Sequence, residues 1–352
     1  MKKKIISMVL SLVMVATTLV GCGNKTNNED SNKSETKTEE KATKEENKED
    51  DYVVQIPIST SLCSAPMQLA KINGYFDEVG LNWEEVNLGD NSSLDFVATG
   101  KADISYDLLQ TLVQRIASGL DYQVLTGVHY GCINIVASKE SGITEVSQLK
   151  GKRIGCPVSL GSDPSVMLQR VLTSEGIGCT ADNMEVDLQV FQNPDLQTAL
   201  KNGSIDAFVS WDPFASLVAK NDDEVLIWKQ AESELTKDEY CCFLGCRPEF
   251  AKEHPELVKK IVKAIQMSCD FIQKDPEEAV KRVLDEGYVA GNDVELYSEL
   301  LKSYNYNTNV EGGRESFKNC VQSLSDLGII SLNQSIDEFT ETYYPEMDGI
   351  EQ

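Results

Sequence analysis

Apolar and polar positions between residues 52 and 128 alternate in short blocks that predict strands and helices in turn. The stretch YVVQIPIS, residues 52–59, alternates residue by residue and is typical of a strand. Ser64 is placed to begin a helix that Gly74 ends. Further strands are predicted at 84–88, 102–105 and 122–128, and further helices at 92–99 and 108–117. This rhythm favours a parallel sheet with helices on both faces.

The same order of elements returns after residue 150 and predicts a second unit of similar architecture. Strands are predicted at 152–156, 187–191 and 207–210, and helices at 165–175, 196–202 and 213–220. Beyond residue 249, apolar residues at Leu257, Ile261 and Ile265 repeat at helical spacing. Asp275 and Pro276 then form a cap and a first-turn proline for the next helix. The late helices are expected to pack against the two α/β units.

The N-terminal residues have the layout of a secretory signal peptide. Three lysines, residues 2–4, precede an uncharged apolar run from Ile5 to about Val20. This run is short for a membrane span of about 20 residues, and it ends in Leu-Val-Gly-Cys, which resembles a lipobox. We therefore expect removal of residues 1–21 and acylation of Cys22. Two acyl chains would hold the protein on the extracytoplasmic face of the cell membrane.

Composition indicates a charged tether followed by a large folded region. Residues 22–51 are almost wholly polar or charged, so they cannot bury enough apolar surface to fold. The formal charge of the chain is -25, which argues against binding to nucleic acid or to an anionic membrane surface. The roughly 300 residues from Tyr52 onward are enough for two domains.

Five segments together resemble one family, the solute-binding proteins of ABC importers for alkanesulfonates, taurine, nitrate and thiamine-pyrimidine compounds. In chain order they are PMQLAKINGYFDEVGLNWEEVNLGD, ATGKADISY, SQLKGKRIGCPVSLGSDPSVMLQRVL, LKNGSIDAFVSWDPFASLVA and RPEFAKEHPELVKKIVKA. The resemblance extends from residue 52 to about residue 272, and the last 80 residues match only in being helical.

This resemblance implies an α/β, two-lobe fold of the type II periplasmic-binding-protein kind. Each lobe has a mostly parallel sheet flanked by helices, and two hinge crossings join the lobes. The first lobe is expected at 52–138 plus 242–352 and the second at 139–241. A ligand that contacts both lobes would favour the closed state. The resemblance also implies a monomer that works with an ABC permease and ATPase, without a cofactor and without enzymatic activity.

Candidate ligand contacts lie in turns at the carboxyl ends of the predicted strands, where open α/β sheets bind ligands. The residues chosen from these turns are Ser59, Thr60, Leu62, Asp90, Asn91, Tyr106, Asp107, Gly161, Ser162 and Asp163. Hydroxyls and free backbone N–H groups favour an anion such as a sulfonate. The aspartates, with no Lys or Arg beside them, favour an amine or a zwitterion equally well. The serines and aspartates are also explained as helix caps.

Three aromatic residues are further candidates. Trp211, followed by Asp212 in SWDPF, comes directly after a predicted interior strand and is placed to stack on a ligand. Alternatively, Trp211 packs between sheet and helix. Tyr130 is a second aromatic candidate, and Tyr240 is a third, at the predicted second hinge crossing.

Tyr240 belongs to the stretch EYCCFLGC, residues 239–246, which raises the question of a metal site or a disulfide. In a regular strand Cys242 and Cys246 lie about 13 Å apart on one face, too far for a disulfide or for one zinc ion, and Cys241 points away from both. We therefore predict buried thiols and no metal site. A disulfide from Cys132 or Cys156 to this strand stays open.

Two other functions stay open beside ligand delivery. A related group on the same fold makes the thiamine pyrimidine from its own histidine and a lysine-bound cofactor, and it carries a CCCFC-type motif that EYCCFLGC brings to mind. The lipobox and the tether favour capture and delivery over such an enzyme. A ligand sensor for a membrane partner is the third alternative.

Overall fold

The computed structural model describes residues 51–89, 91–221 and 223–350. The predicted signal peptide, Cys22, nearly all of the tether and Asp90 lie outside the described residues. The strands are β1 (Val54–Pro57), β2 (Trp83–Val86), β3 (Ile104–Leu108), β4 (Gln123–Tyr130), β5 (Ile133–Ser138), β6 (Arg153–Pro157), β7 (Cys179–Thr180), β8 (Asn183–Met184), β9 (Asp187–Phe191), β10 (Ala207–Trp211), β11 (Glu224–Lys229) and β12 (Tyr240–Cys246).

Helices fill most of the remaining sequence and make up the C-terminal hundred residues. They are α1 (Ala65–Ile72), α2 (Tyr75–Glu78), α3 (Ser93–Ala98), α4 (Leu109–Ala117), α5 (Asp163–Ser174), α6 (Asp195–Lys201), α7 (Phe214–Ala219), α8 (Pro248–Glu253), α9 (Pro255–Lys274), α10 (Pro276–Asp285), α11 (Val294–Ser303), α12 (Val310–Asp326) and α13 (Ile336–Tyr343). Short 3₁₀ helices lie at Leu62–Ser64, Lys139–Ser141 and Val146–Leu149. Within the described part of the chain, every helix is too short or too polar to cross a membrane.

A five-stranded sheet is formed by the middle of the chain, in the order β11-β5-β10-β6-β9. Strands β10, β6 and β9 run parallel, whereas β5 is antiparallel to both of its neighbours. Sequence patterning missed β5 because Ile135, Val136 and Ala137 are all buried and so show no alternation. The lobe boundaries stay a prediction. They assigned residues up to 138 to the first lobe, whereas β5 pairs with strands of this five-stranded sheet.

The other large sheet has β12 in its centre, between β3 and β4, and antiparallel to both. Strands β1 and β2 pair in parallel, and the Asp103 backbone N–H donates to the Gln55 carbonyl to connect β1 with the start of β3. Strands β5 and β12 are each the first strand after the chain crosses from one sheet to the other. The crossing sets the direction in which each of these two strands enters its sheet. This direction explains why neither sheet is wholly parallel.

Strand β12 is not regular, and this overturns one prediction about its cysteines. The pairing with β4 shifts register between Tyr240 and Cys242 and again between Cys242 and Phe243. An irregularity of this kind turns side chains away from strict alternation. Cys241 and Cys242 therefore both face the main core, and hydrogen bonding from Cys132 and Cys242 lowers the pKa of the Cys241 thiol. The prediction that Cys241 points away from Cys242 is wrong, whereas the prediction of buried thiols is confirmed for all nine described cysteines.

Gly245 in β12 is required by the close approach of Tyr122. A Cβ at this position would lie 2.3 Å from the Tyr122 Cε1 and 2.5 Å from its Cζ and hydroxyl. Tyr122 is buried and its hydroxyl is 2.9 Å from the Ser105 Oγ, so the ring has little room to move. Gly245→Ala is expected to lower the free energy of unfolding by about 1–3 kcal/mol, as measured by urea denaturation.

Gly161→Ala is the matched control for this substitution. Its added Cβ would come no nearer than 3.6 Å to another atom, which is ordinary van der Waals contact, and little change in stability is expected. Equal effects at the two glycines would show that Tyr122 does not restrict Gly245.

Candidate functional site

A cavity of about 540 Å³ lies between the five-stranded sheet and α11. From the sheet side it is lined by Asn134 on β5, Asp212 after β10 and Ser216 on α7. From the opposite side it is lined by Glu299 on α11 and by Tyr304, which ends that helix. The volume is that of a site for a small organic molecule.

Asp212 is the buried carboxylate of this cavity, which we call the Asp212 cavity. It is 6% exposed, and it accepts hydrogen bonds from the Asn134 Nδ2 at 2.6 Å and from the Ser216 backbone N–H at 3.0 Å. Burial raises the pKa of Asp212 to about 6, although these hydrogen bonds favour the charged form. Asp212 is therefore held in place and is ionised at neutral pH.

The buried Tyr304 hydroxyl lies near the same carboxylate. Burial raises the pKa of Tyr304, and the negative charge of Asp212 raises it further. The hydroxyl is buried and has no hydrogen-bond partner among the described residues. Because buried polar groups rarely stay unpaired and Tyr304 acts on the pKa of Asp212 as a hydrogen-bond donor, this hydroxyl is placed to bond either Asp212 or a molecule that occupies the cavity.

The charges at the rim of the Asp212 cavity favour a ligand with positive charge or with several N–H donors. Its two lysines are both neutralised: Lys220 pairs with Asp293 at 2.5 Å and Lys229 pairs with Glu232 at 2.8 Å. Glu295 and Glu299 also line the cavity, and neither forms an ion pair with a described residue. The balance of unpaired charge is negative.

The predicted turn at residues 161–163 lies elsewhere and joins the five-stranded sheet to α4. The Asp163 carboxylate accepts from the Thr111 backbone N–H at 2.9 Å and from the Thr111 hydroxyl at 2.5 Å, and the Gly161 carbonyl accepts from the Gln114 Nε2. Because Leu108 at the N-cap of α4 offers no side-chain acceptor, Asp163 supplies the cap from another part of the fold. The Ser162 hydroxyl donates to the Pro157 carbonyl.

The turns after β1 and β2 form a separate cavity of about 570 Å³. Ser59, Thr60 and Asn91 line it, beside Tyr288. Leu62 is instead buried, and its carbonyl accepts from the Tyr306 hydroxyl at 3.2 Å.

Tyr106 and Asp107, at the end of β3, are the remaining candidates of the first turns. The Tyr106 hydroxyl donates to the Cys63 carbonyl at 3.1 Å. Ser93 donates to one Asp107 oxygen at 2.5 Å, and the other oxygen is buried with no hydrogen-bond partner among the described residues. Burial raises the pKa of Asp107.

The three aromatic candidates all lie in packed regions. The rings of Tyr130 and Tyr240 pack against each other, tilted by 34° with centroids 4.3 Å apart; Tyr240 is 1% exposed and its hydroxyl donates a hydrogen bond to the Asn307 Oδ1. Trp211 packs against the main core, and its indole N–H is buried with no acceptor in the part of the chain that the structure describes. Their roles as ligand contacts stay predictions.

Sequence reasoning identified Asp212 but missed the residues around it. Asn134 lies on the unpredicted strand β5, and Ser216 contributes its backbone N–H rather than its side chain. Tyr304 belongs to the run Tyr-Asn-Tyr-Asn, in the region where the resemblance was limited to helical character. Two tyrosines interrupting a helical pattern were the one signal available for that residue.

The stability of the fold is expected to fall as the pH rises from about 4 to 7, in part because of Asp163. Burial raises the pKa of this carboxyl to about 7, above its ordinary value of about 3.9, so the folded protein favours its protonated form. The contribution is fully present below pH 4 and is lost as pH rises through 7.

The neutral variant Asp163→Asn is expected to show a smaller loss of unfolding free energy over this range. Asp212, with a pKa of about 6, acts in the same direction and remains in the variant. Urea denaturation of both proteins at several pH values measures the difference. Parallel pH profiles would show that Asp163 is ionised throughout.

Comparison with known proteins places this geometry among solute-binding folds. A family described as "NMT1/THI5 like" matches residues 63–279. The periplasmic aliphatic sulphonate binding protein SsuA from Escherichia coli superposes with a TM-score of 0.66 at 15% identity, over 81% of this chain and 91% of that protein. This likeness confirms the predicted two-lobe fold.

Two sequence relatives have different descriptions. The 4-amino-5-hydroxymethyl-2-methylpyrimidine phosphate synthase THI5 of Saccharomyces cerevisiae is 29% identical over 268 residues, which is 68% of this chain and 72% of the relative. A putative aliphatic sulfonates-binding protein of Bacillus subtilis is 26% identical over 259 residues, which is 71% of this chain and 73% of the relative.

The prediction that the chain is not an enzyme is contradicted by these comparisons. Several relatives from Aspergillus parasiticus and Saccharomyces cerevisiae, 27–29% identical to this chain, are described as pyrimidine phosphate synthases. The signal-like N-terminus and the tether, on which the prediction depended, say nothing about chemistry in the folded region.

Proposed function

The chain belongs to the NMT1/THI5-like family, and on that basis we propose that it is a solute-binding protein that delivers a small polar ligand to the permease and ATPase of an ABC importer. The likeness to SsuA and the sulfonate-binding relative support this role. The single observation that carries the proposal is the Asp212 cavity. It lies between two separate parts of the fold, so a molecule in it contacts both and favours their closed arrangement.

The ligand class that suits this cavity best is an amine-bearing ring of the aminopyrimidine type. Asp212 is buried, held by Asn134 and ionised, so it accepts charge-assisted hydrogen bonds from an amino group. The Tyr304 hydroxyl, beside Asp212, donates to a ring nitrogen or a hydroxyl of the ligand. The sulfonate considered at the outset is less well matched, because both lysines at the rim are already paired. The relatives named as pyrimidine phosphate synthases support the same class.

Localisation follows from the N-terminal sequence. We infer that residues 1–21 are removed and that the acylated Cys22 anchors the protein on the extracytoplasmic face of the membrane, as a monomer on a polar tether. Cys22→Ala is expected to release the protein from the membrane fraction or to leave it uncleaved. A variant that stays membrane-bound at the mature size would contradict the anchor.

Ligand binding is tested by thermal unfolding of the purified chain with a panel of candidates. The panel contains 4-amino-5-hydroxymethyl-2-methylpyrimidine, its phosphate, taurine, an alkanesulfonate and nitrate. A ligand at a hundredfold over its dissociation constant stabilises by about 2.7 kcal/mol. Stabilisation by the pyrimidines alone supports the proposed class, stabilisation by sulfonates alone overturns the class, and no response to any member contradicts a binding role for these compounds.

A pyrimidine-forming activity is the second candidate, favoured by the descriptions of the relatives. It is separated from delivery by mass spectrometry of the purified chain and its small-molecule products. Release of a pyrimidine product together with a change in the mass of the chain supports synthesis. Unchanged protein with bound, intact pyrimidine supports capture.

A further inference from the structure

Three carboxylates lie along the α11 side of the Asp212 cavity. Glu295 and Glu299 line the cavity directly, and Asp293 is the N-cap of the same helix. One Asp293 oxygen accepts from the Leu296 backbone N–H at 3.2 Å, which holds this carboxylate at the start of α11. This wall of the cavity is therefore acidic.

Lys220 reaches towards these carboxylates from the end of α7, on the side of the five-stranded sheet. Its Nζ lies 2.5 Å from an Asp293 oxygen. The hydrogen bond and the negative charge of Asp293, together with the charges of Glu295 and Glu299, raise the pKa of Lys220. One ammonium group thus faces three carboxylates, and its positive charge is more than balanced.

The second lysine of the cavity is engaged as well. Among the residues that the structure describes, Lys220 and Lys229 are the only Lys, Arg or His side chains that line the cavity. Lys229 pairs with Glu232 at 2.8 Å. An anionic group in the cavity would have to draw a lysine away from its carboxylate before it could form a charge-assisted hydrogen bond with it.

A phosphate group on the ligand is excluded by charge here and not by size. The cavity of about 540 Å³ has room for an aminopyrimidine with or without a phosphate. The phosphate adds a charge of about −1.5 to −2 at pH 7. Helix N-termini commonly bind phosphate, but Asp293 already caps the first turn of α11. Asp293 therefore occupies both groups that could bind a phosphate on this wall, Lys220 and the helix N-terminus.

We propose that Asp293, Glu295 and Glu299 make the Asp212 cavity select a phosphate-free aminopyrimidine over its phosphate ester. Asp293 has the largest effect, because it neutralises Lys220 and occupies the N-terminus of α11. This selectivity rests on the proposed function and specifies which form of the ligand the site accepts.

The test compares 4-amino-5-hydroxymethyl-2-methylpyrimidine with its phosphate ester by isothermal titration calorimetry on the purified chain. The phosphate is expected to bind the wild type at least about thirtyfold more weakly, because like charges brought together in a binding site are strongly unfavourable. Asp293→Asn keeps a good helix cap but releases Lys220, and it is expected to reduce this ratio about tenfold. Glu299→Gln removes an exposed charge and is expected to reduce the ratio about threefold.

Salt supplies a readout that a purely structural role would not change. The Lys220 side chain is 54% exposed, so the charges around it are screened at high ionic strength. Raising sodium chloride from about 0.1 M to about 1 M shortens the Debye length from about 10 Å to about 3 Å. The ratio of the two affinities in the wild type is expected to shrink accordingly.

Two controls accompany these variants. Lys220→Met/Asp293→Asn removes both members of the ion pair and is expected to restore most of the wild-type ratio, because the released lysine is gone. Glu277→Gln breaks the exposed pair with Lys281 on α10, outside the cavity lining, and is expected to leave the ratio unchanged. If Asp293→Asn fails to fold, Glu299→Gln at its exposed position still decides the question.

The affinities of the wild type separate the selectivity from the proposed function. Equal affinity for the two compounds overturns the selectivity and leaves the proposed function standing. A preference for the phosphate ester does the same, and it would match the product named in the descriptions of the relatives. A wild type that binds neither compound contradicts the proposed ligand class and the selectivity with it. Unchanged ratios in both Asp293→Asn and Glu299→Gln would overturn the role of α11.

Discussion

Glu239→Gln is expected to lower the free energy of unfolding by about 3–5 kcal/mol, because it leaves the Arg170 guanidinium buried without a counter-charge. Arg170 donates from both terminal nitrogens to the two Glu239 oxygens, each at 2.6 Å. The two side chains are only 5% and 8% exposed, so water cannot replace the lost carboxylate charge. Urea denaturation at neutral pH measures the effect.

Two controls separate burial from the simple loss of a charge. Glu277→Gln breaks an exposed i,i+4 pair with Lys281 and is expected to change stability by about 0.5 kcal/mol or less. The double variant Arg170→Met/Glu239→Leu removes both buried charges and is expected to recover much of the lost stability. Similar losses for Glu239→Gln and Glu277→Gln would mean that Arg170 gains access to solvent.

The importance of this pair comes from the elements it connects. Arg170 lies on α5, packed on the five-stranded sheet, whereas Glu239 immediately precedes β12. The Arg170 Nε also donates to the Ser323 hydroxyl on α12 at 3.1 Å. The pair therefore holds the second crossing against both the five-stranded sheet and the C-terminal helices, and its loss is expected to loosen the arrangement that shapes the Asp212 cavity.

Local patterning was sufficient for most strands and helices but not for pairings between distant residues. The stretch LDFVATGKADISYDLL predicts a helix, a glycine stop and a strand, and the structure forms α3 and β3 there. Nothing in the sequence relates Arg170 to Glu239, which are 69 positions apart. Nor does the sequence relate Cys63 to His129 and Cys242, which come close only after β4 and β12 pair.

The candidate site was predicted in part for the same reason. The rule that ligands bind beyond the carboxyl ends of strands selected Asp212, and the structure places this residue in a cavity. The same rule selected Asp163, whose carboxylate caps α4 and whose role as a ligand contact stays a prediction. A carboxylate at a strand end suits both roles, and only the position of its partner distinguishes them. Tyr304 lies 92 residues after Asp212, beyond the reach of any local pattern.

Asp212→Asn is expected to weaken binding of 4-amino-5-hydroxymethyl-2-methylpyrimidine by about thirtyfold or more. Removing one charge from a buried, charge-assisted contact typically costs about 2–5 kcal/mol, and each 1.4 kcal/mol is a factor of ten in affinity. The amide keeps the size of the side chain and an acceptor for the Ser216 N–H. Its NH2 group replaces the oxygen that accepts from Asn134, so the Asn134 amide is expected to turn over and present its oxygen instead. Isothermal titration calorimetry with this pyrimidine measures the loss.

Asp107→Asn is the control that decides between the two parts of the predicted site. Asp107 also has a raised pKa and an unpaired buried oxygen, but it lies at the end of β3 and does not line the Asp212 cavity. Its substitution is expected to leave the affinity for the pyrimidine within about threefold of wild type, a change of less than 1 kcal/mol. The opposite result, with affinity lost in Asp107→Asn and kept in Asp212→Asn, would move the ligand to the turns that follow β1 and β3. The hydroxyl-rich turns chosen from the sequence would then form the binding site, and the Asp212 cavity would be a gap between packed elements.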